Sequence, residues 1–199
     1  MTSDGGRPGR VSDPDVELML AFSRGQEHAF VELYRKYRDP IVRFSVRMLG
    51  DRAEAEEAAQ DVFLKLHRAR GSYHPRSRFS TFLYRIAANH CLNLRARLDH
   101  RLVDRDGQSE RHAHGGARQD SELANKQLRA ALEGALSALP DRQRAALLLV
   151  HYEGLSYRDA AEAIEVSEPA IKSLIHRARA TVIAQLGDAL LETEVEHAV

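Results

Sequence analysis

"SEPAIKSLIHRARATV", residues 167–182, is the stretch on which the reading of the chain turns. Ile171, Leu174, Ile175, Ala178 and Val182 recur at helical spacing, so one face of a helix turns inward. Lys172, His176 and Arg179 fall at i, i+4 and i+7 on the other face, with Ser173 and Arg177 beside them. Ser167 suits an N-cap, and Pro169 falls in the first turn, where a missing N–H costs little. Just upstream, "SYRDAAEAI" (156–164) reads as a short helix with Ser156 as cap and Asp159 at the reciprocal position. Glu165, Val166 and Ser167 form the turn between the two. A short helix, a tight turn and a second helix with a cationic outer face make a helix-turn-helix, whose second helix fits the DNA major groove. A solvated amphipathic helix would show the same periodicity, so the remainder of the chain has to decide.

That remainder is helical too. The chain has 199 residues, 43% hydrophobic and 29% charged, without tryptophan, which fits a helical protein of one or two domains and excludes fibrous or disordered classes. The single cysteine, Cys91, rules out an internal disulfide framework and suits a reducing cytoplasm. No apolar run approaches the roughly 20 residues of a membrane span, so no membrane insertion is expected. "MTSDGGRPGRVSDPD" at the N-terminus carries no hydrophobic segment, so residues 1–12 read as a flexible tail rather than a signal peptide.

Asp13-Pro14 opens a first helix toward Arg24, and Gly25 separates it from a second lined by Ala29, Phe30, Leu33, Tyr34 and Tyr37. Asp39-Pro40 reads as the start of a third helix, Ile41 to Leu49, ended by Gly50. Asp51 caps a fourth, with Glu54 three residues on. "GSYHPRSR" (71–78) is a basic loop, and Ser80 is the expected cap of a fifth helix with Leu83, Ile86, Ala87, Cys91, Leu94 and Leu98 inward. On that buried face Cys91 is not expected to sense redox state. From 99 to 120 the pattern dissolves into a polar, glycine-containing flexible linker. Helical spacing resumes at Ser121 and continues, past the stop at Pro140, through "DRQRAALLLVHYEG". The expected fold class is all-α: two small helical domains, 13–98 and 121–190, joined by a flexible linker, the second containing the helix-turn-helix, with a tail over 191–199.

The formal net charge is zero, but the charge is segregated. Residues 65–118 hold 12 Lys and Arg against 4 Asp and Glu, a net of +8, whereas residues 121–199 hold 8 against 12, a net of −4. Separate surfaces for separate partners account for such blocks, as do plain solvated faces. In the basic block Tyr73, Arg76, Arg78, Phe79, Phe82, Tyr84 and Arg85 interleave aromatic rings with cations. Rings stack bases and cations hold phosphates, so the mixture suits single-stranded nucleic acid or a flipped base; Phe79 and Phe82 also fit the core of an amphipathic helix. The preceding helix presents Glu56, Glu57, Gln60 and Asp61 with Phe63 close by, a face suited to a basic protein surface or to solvent.

Four segments together resemble bacterial RNA polymerase sigma factors of the extracytoplasmic-function group: "AEEAAQDVFLKLHR" (55–68), "RFSTFLYRIAANHCLNLRAR" (78–97), "ALSALPDRQRAALLLVHYEGLSYRDAAEAI" (135–164) and "SEPAIKSLIHRARATV" (167–182). The resemblance runs through most of the chain in the family's order. It implies a promoter-specificity subunit of core RNA polymerase, without a cofactor, metal or catalytic site of its own. Glu57, Gln60, Asp61 and Phe63 fall where the family docks on the largest polymerase subunit. Arg76, Arg78, Phe79, Phe82, Arg85 and Asn89 fall in the segment that opens and reads the −10 element. Ser167, Lys172, Ser173, His176, Arg177 and Arg179 fall on the helix that reads the −35 element. The apolar surface of the last domain would hold the flap of the second-largest subunit, the linker would run toward the RNA exit path, and an anti-sigma factor would hold the free protein in the cytoplasm until a signal arrives.

Three positions depart from the family pattern: Phe82 stands where tryptophan is frequent, Glu165 where the turn usually has glycine, and Leu174 where arginine is common. A glycine there usually signals positive φ, which is costly for glutamate. No Ser/His/Asp, Cys/His or zinc spacing supports an enzyme. His100, His112 and His114 lie in the linker, and a metal site on His112 and His114 is a minor alternative. The stronger rival is a stand-alone helix-turn-helix regulator with a helical dimerisation domain, which the acidic-then-basic order of the first domain argues against.

Overall fold

The structure, a computed structural model, describes residues 13–103 and 121–196, with side chains described over 13–98 and 130–187. Among the described residues all regular structure is helical: α1 Pro14–Ser23, α2 Glu27–Leu49, α3 Arg52–Arg68, α4 Phe79–Val103, α5 Ser121–Ala138, α6 Asp141–His151, α7 Tyr157–Ala163 and α8 Glu168–Glu196, with a 3-10 turn at Ala69–Ser72.

Asp13 organises the N-terminal half. Its Oδ1 accepts the Asp15 N–H at 3.0 Å, capping α1, and its Oδ2 accepts the Phe79 N–H at 2.9 Å, capping α4. The expected cap of α4, Ser80, lies inside its first turn instead, because Asp13 supplies the acceptor one residue earlier. Asp15 is buried, and Lys36 Nζ at 2.6 Å and Tyr37 Oη at 2.6 Å satisfy its carboxylate, tying α1 to α2.

Pro40 does not open a new helix: α2 runs unbroken through it from Glu27 to Leu49. An interior proline costs about 3 kcal/mol. Against that, Leu33, Ile41, Phe44 and Met48 form one fully buried stripe on both sides of Pro40, and each such side chain contributes roughly 1.5–3 kcal/mol. Burial therefore outweighs the local preference. Gly50 ends α2 at φ 85°, donating its N–H to Val46 O at 2.8 Å. Asp51 Oδ1 then accepts the Glu54 N–H at 2.8 Å to start α3. Ala55, Ala58 and Ala59 let α3 pack closely on α2, and Val62, Phe63 and Leu66 complete that face.

In the C-terminal half Leu136, Leu139, Ala145, Leu148, Leu149, Ile164, Ile171, Ile175 and Ala178 are buried between α5, α6, α7 and α8. Arg144, only 1% exposed, is built into this core. Its guanidinium donates to Leu136 O at 2.8 Å, Leu139 O at 3.2 Å and Ser137 O, closing the C-terminal end of α5, and Nη1 reaches Met48 O of α2 at 2.7 Å. Four carbonyls thus compensate a buried charge that would otherwise be costly.

The two helical halves are in contact. α4 packs on α6 and α7, and α2 packs on α5 and α6. The expected linker falls mostly outside the described residues, although α4 continues past the expected end at Leu98 to Val103. The expected tail over 191–199 is helical as far as Glu196, as the last part of α8.

Candidate nucleic-acid interface

The helix-turn-helix is assembled from local signals. Ser156 Oγ accepts the Asp159 N–H at 3.1 Å and donates to Asp159 Oδ2 at 2.6 Å, fixing the start of α7. Ser167 Oγ accepts the Ala170 N–H at 3.3 Å at the start of α8. Among the described residues Glu165 is the non-glycine with a positive φ, 56°, at the position where the turn demands it. Ile171, Ile175 and Ala178 point inward and are buried, leaving Ser167, Lys172, Ser173, His176, Arg177 and Arg179 exposed. Lys172 Nζ lies 3.3 Å from Glu168. Arg179 Nη2 donates to His151 Nε2 at 2.7 Å, which puts the proton of the neutral ring on Nδ1. Partial burial, and then the Arg179 cation, push the His151 pKa below its usual value. His151, at the end of α6, carries no sequence signal of this contact.

The second surface lies at the start of α4. Arg76 and Arg78 are exposed, and Arg85 and Asn89 are half-buried on one stripe. Phe82 is half-buried, with the Tyr73 ring edge-on at 5.0 Å and the Arg85 guanidinium 5.3 Å from its centroid. Phe79 does not belong to this surface. It is fully buried, its ring against Tyr37 at 5.3 Å, because α4 begins at Phe79 and turns that side chain into the core. Two hydroxyls nearby, Tyr73 Oη and Thr81 Oγ1, are buried with no hydrogen-bond partner, and Thr81 was not singled out from sequence. Asn89 Nδ2 donates to Glu165 at 3.1 Å, so the turn between α7 and α8 reaches onto the stripe.

The third surface is the outer face of α3. Glu57 and Gln60 are exposed, and Asp61 is half-exposed. Phe63 is buried, its ring edge-on to Tyr34 at 4.8 Å, and it lines a groove between α2 and α3 with Val42, Ala59 and Gln60. It therefore shapes the groove and is not a free contact residue. Leu64, 53% exposed, sits two helical turns beyond Glu57 on the same face and was not singled out from sequence. Asp61 Oδ2 lies 3.3 Å from His90 Nε2 but is not aligned for a hydrogen bond, while Lys65 Nζ is 2.5 Å from His90 Nδ1. Because Lys65 can only donate, Nδ1 accepts and the ring proton faces Asp61. Burial first, then the Lys65 charge, holds the His90 pKa below its usual value, with Asp61 opposing and Arg97 adding to the lowering.

Cys91 is buried, and its thiol pKa is pushed up to about 11 by burial. No group of three or more metal-ligating side chains occurs among the described residues; His100, His112 and His114 lie outside the described side chains. Among the described residues no helix is long and apolar enough to cross a membrane.

Comparison with known proteins places the chain in a family. The sigma-70 region 2 family matches residues 33–101, and the sigma-70 region 4 family matches residues 129–182. The chain is 32% identical over 190 residues to the RNA polymerase sigma-H factor of Pseudomonas aeruginosa, covering 92% of this chain and 98% of that one. It is also 31% identical over 183 residues to the ECF (extracytoplasmic-function) RNA polymerase sigma factor SigM of Mycobacterium tuberculosis, covering 90% of this chain and 88% of the relative. The chain belongs to the extracytoplasmic-function group of sigma factors. The solved sigma factor RpoE, in complex with the anti-sigma factor NepR from Bartonella quintana, shares the fold at a TM-score of 0.67 and 23% identity, covering 79% of this sigma factor and 96% of that chain. Region 2 of this sigma factor takes in α3 and most of α4, and region 4 takes in the helix-turn-helix.

Proposed function

We propose that this sigma factor docks on core RNA polymerase through the outer face of α3 and directs it to promoters read at two points. Glu57, Gln60, Asp61 and Leu64 form the docking face on the largest subunit, above the groove shaped by Phe63. Arg76, Arg78, Phe82, Arg85 and Asn89 engage the −10 element and its opened non-template strand. Lys172, Ser173, His176, Arg177 and Arg179, with Ser167 at the helix start, engage the −35 element in the major groove, and the apolar surface of the last domain contacts the second-largest subunit. Catalysis stays with the polymerase. Captured bases offset the cost of melting, on the order of 1–2 kcal/mol per base-pair step. The protein works in the cytoplasm, and an anti-sigma factor holds it until a signal arrives, as NepR accompanies RpoE in the structure of that relative.

The observation that carries this reading is α8: an inward apolar stripe, an outward stripe of exposed donors, and a capped turn that presents them. The experiment is run-off transcription with purified core polymerase on genomic fragments, alongside gel filtration of the mixture. Co-elution with core and discrete promoter-dependent transcripts are expected. Tight operator binding without core, and no co-elution, would sink it.

A further inference from the structure

Asp61 and Lys65 stand four residues apart on α3, the carboxylate N-terminal to the cation. At that spacing the two charges of an exposed helix face ordinarily meet. Glu168 and Lys172, in the same order on α8, do so at 3.3 Å. Asp61 and Lys65 turn instead to His90 of α4, one to each ring nitrogen: Lys65 Nζ lies 2.5 Å from Nδ1, and Asp61 Oδ2 lies 3.3 Å from Nε2. His90 is only 8% exposed, whereas the Asp61 side chain is half-exposed on the outer face of α3.

The ring suits both neighbours only while it is neutral, because an imidazolium has no acceptor for Lys65. Burial, the Lys65 charge and Arg97 keep it so, against the pull of Asp61. Nδ1 then accepts from Lys65, and the Nε2 proton faces the carboxylate. Asp61 therefore keeps its full negative charge at the surface, and the cation one helical turn away is tied to α4. With the ring gone, Lys65 would be free to close the ordinary pair with Asp61 and cancel the charge that a basic partner meets. Nothing in the sequence marks His90 for this, since its two neighbours lie 25 and 29 residues back along the chain.

We propose that His90 is a positioning residue for polymerase docking, its ring parting Asp61 from Lys65 so that the carboxylate stays uncancelled for a basic partner surface. This rests on the reading of the outer face of α3 as the docking face. The test is titration of the full chain with purified core polymerase, beside urea denaturation of each variant. His90→Leu keeps the burial and removes both nitrogens. It should weaken core binding by roughly two- to fivefold, the factor for opening a half-exposed ion pair before the partner is met. His90→Gln retains one acceptor and one donor and should stay within about twofold of the wild type. Adding Lys65→Met to His90→Leu removes the intruding cation and should restore the affinity, whatever the pair does to the urea midpoint; a merely structural histidine gives no such rescue. Lys65→Met alone, which leaves His90 in place, should change the affinity by less than about twofold. Unchanged affinity in His90→Leu, a loss in His90→Gln equal to that in His90→Leu, or no rescue by Lys65→Met each overturns the proposal. So does a full two- to fivefold gain from Lys65→Met alone, which would show Asp61 already cancelled in the wild type. Asp61→Asn, titrated alongside, reports on the docking face itself. If it too leaves core affinity unchanged, the docking reading has failed; a loss there with none in His90→Leu fails the role of His90 alone.

Discussion

Arg144 of α6 donates to the carbonyl of Met48 in α2 at 2.7 Å, from a guanidinium that also closes the end of α5. One buried side chain therefore holds its own helical hairpin and the other half of the molecule. Arg144→Ala leaves carbonyls of α5 and α2 without their donor and opens a cavity. The expected loss is about 3–5 kcal/mol, the range for breaking a buried charged network, read by urea denaturation. Arg144→Lys should recover only part of it, because a point charge cannot span the same carbonyls. Equal stability of the wild type and Arg144→Ala would show that the network is dispensable.

His90 makes stability depend on pH. Its folded pKa is lowered by burial and by Lys65 and Arg97, against the pull of Asp61. The unfolded chain therefore binds a proton that the folded chain refuses. The stabilisation is complete above the unfolded value of about 6.5 and is lost as pH falls toward the folded pKa. His151 is shifted the same way and adds to the trend. The denaturation midpoint should fall on acidification below about pH 6.5, and His90→Gln should flatten that fall. An unchanged slope in the variant would remove His90 from the account.

Phe79 and Phe82 separate a core ring from a surface ring. Phe79→Ala should cost about 3–5 kcal/mol of stability, as for a buried phenylalanine. Phe82→Ala should cost less than half of that, yet slow open-complex formation on promoter DNA more than initial binding. Permanganate footprinting of melted thymines, beside thermal melts of both variants, distinguishes them. Comparable stability losses would place Phe82 in the core with Phe79.

These two residues also show what sequence makes legible. The helix-turn-helix could be read because its signals are local: Ser156 and Ser167 cap within three residues. The positive φ at Glu165 has no local signal and follows only from the family resemblance, in which glycine stands there. Phe79 could not be assigned from its basic, aromatic neighbours, because its burial follows from Asp13, 66 residues away, setting the start of α4. Pro40 misleads for a related reason: the stripe from Leu33 to Met48 is rewarded only once α3 and α4 are packed on it. Arg144 carries no local sign of burial, since its acceptors are carbonyls at the ends of two helices. The packing of the halves carried no signal in the segregated charge: of Ser77, Tyr84, Asn89 and Arg95, which donate to carboxylates of the C-terminal half, only Arg95 is a cation.

Asp61 lies at the centre of the proposed docking face. Asp61→Arg should weaken co-elution with core polymerase by roughly two orders of magnitude, since a like charge against a basic partner costs several kcal/mol. Because the substitution also adds a cation beside His90 and Lys65, Asp61→Asn is the companion variant, expected to weaken binding less while sparing the fold. Leu64→Ala should weaken binding with no loss of stability, its side chain being more exposed than buried. Unchanged core affinity in Asp61→Arg would move the docking face elsewhere.

Arg177 is expected to carry the most upstream recognition on α8. Lys172 is engaged by Glu168 and Arg179 by His151, so each gives up a partner on meeting DNA, whereas Arg177 stands exposed on the same face. Arg177→Ala should weaken use of a promoter by roughly 1–3 kcal/mol if the guanidinium is bidentate to a base. If it meets only phosphate, the loss should be uniform across upstream sequences and should lower the salt dependence of binding by about one unit. Run-off transcription on templates with an intact, a mutated and a deleted −35 element separates these cases. An equal loss on the template lacking the element would show that Arg177 acts on something other than upstream DNA. His151→Ala in the same assay should produce a smaller change in the opposite direction, because Arg179 then has no partner to give up on meeting DNA.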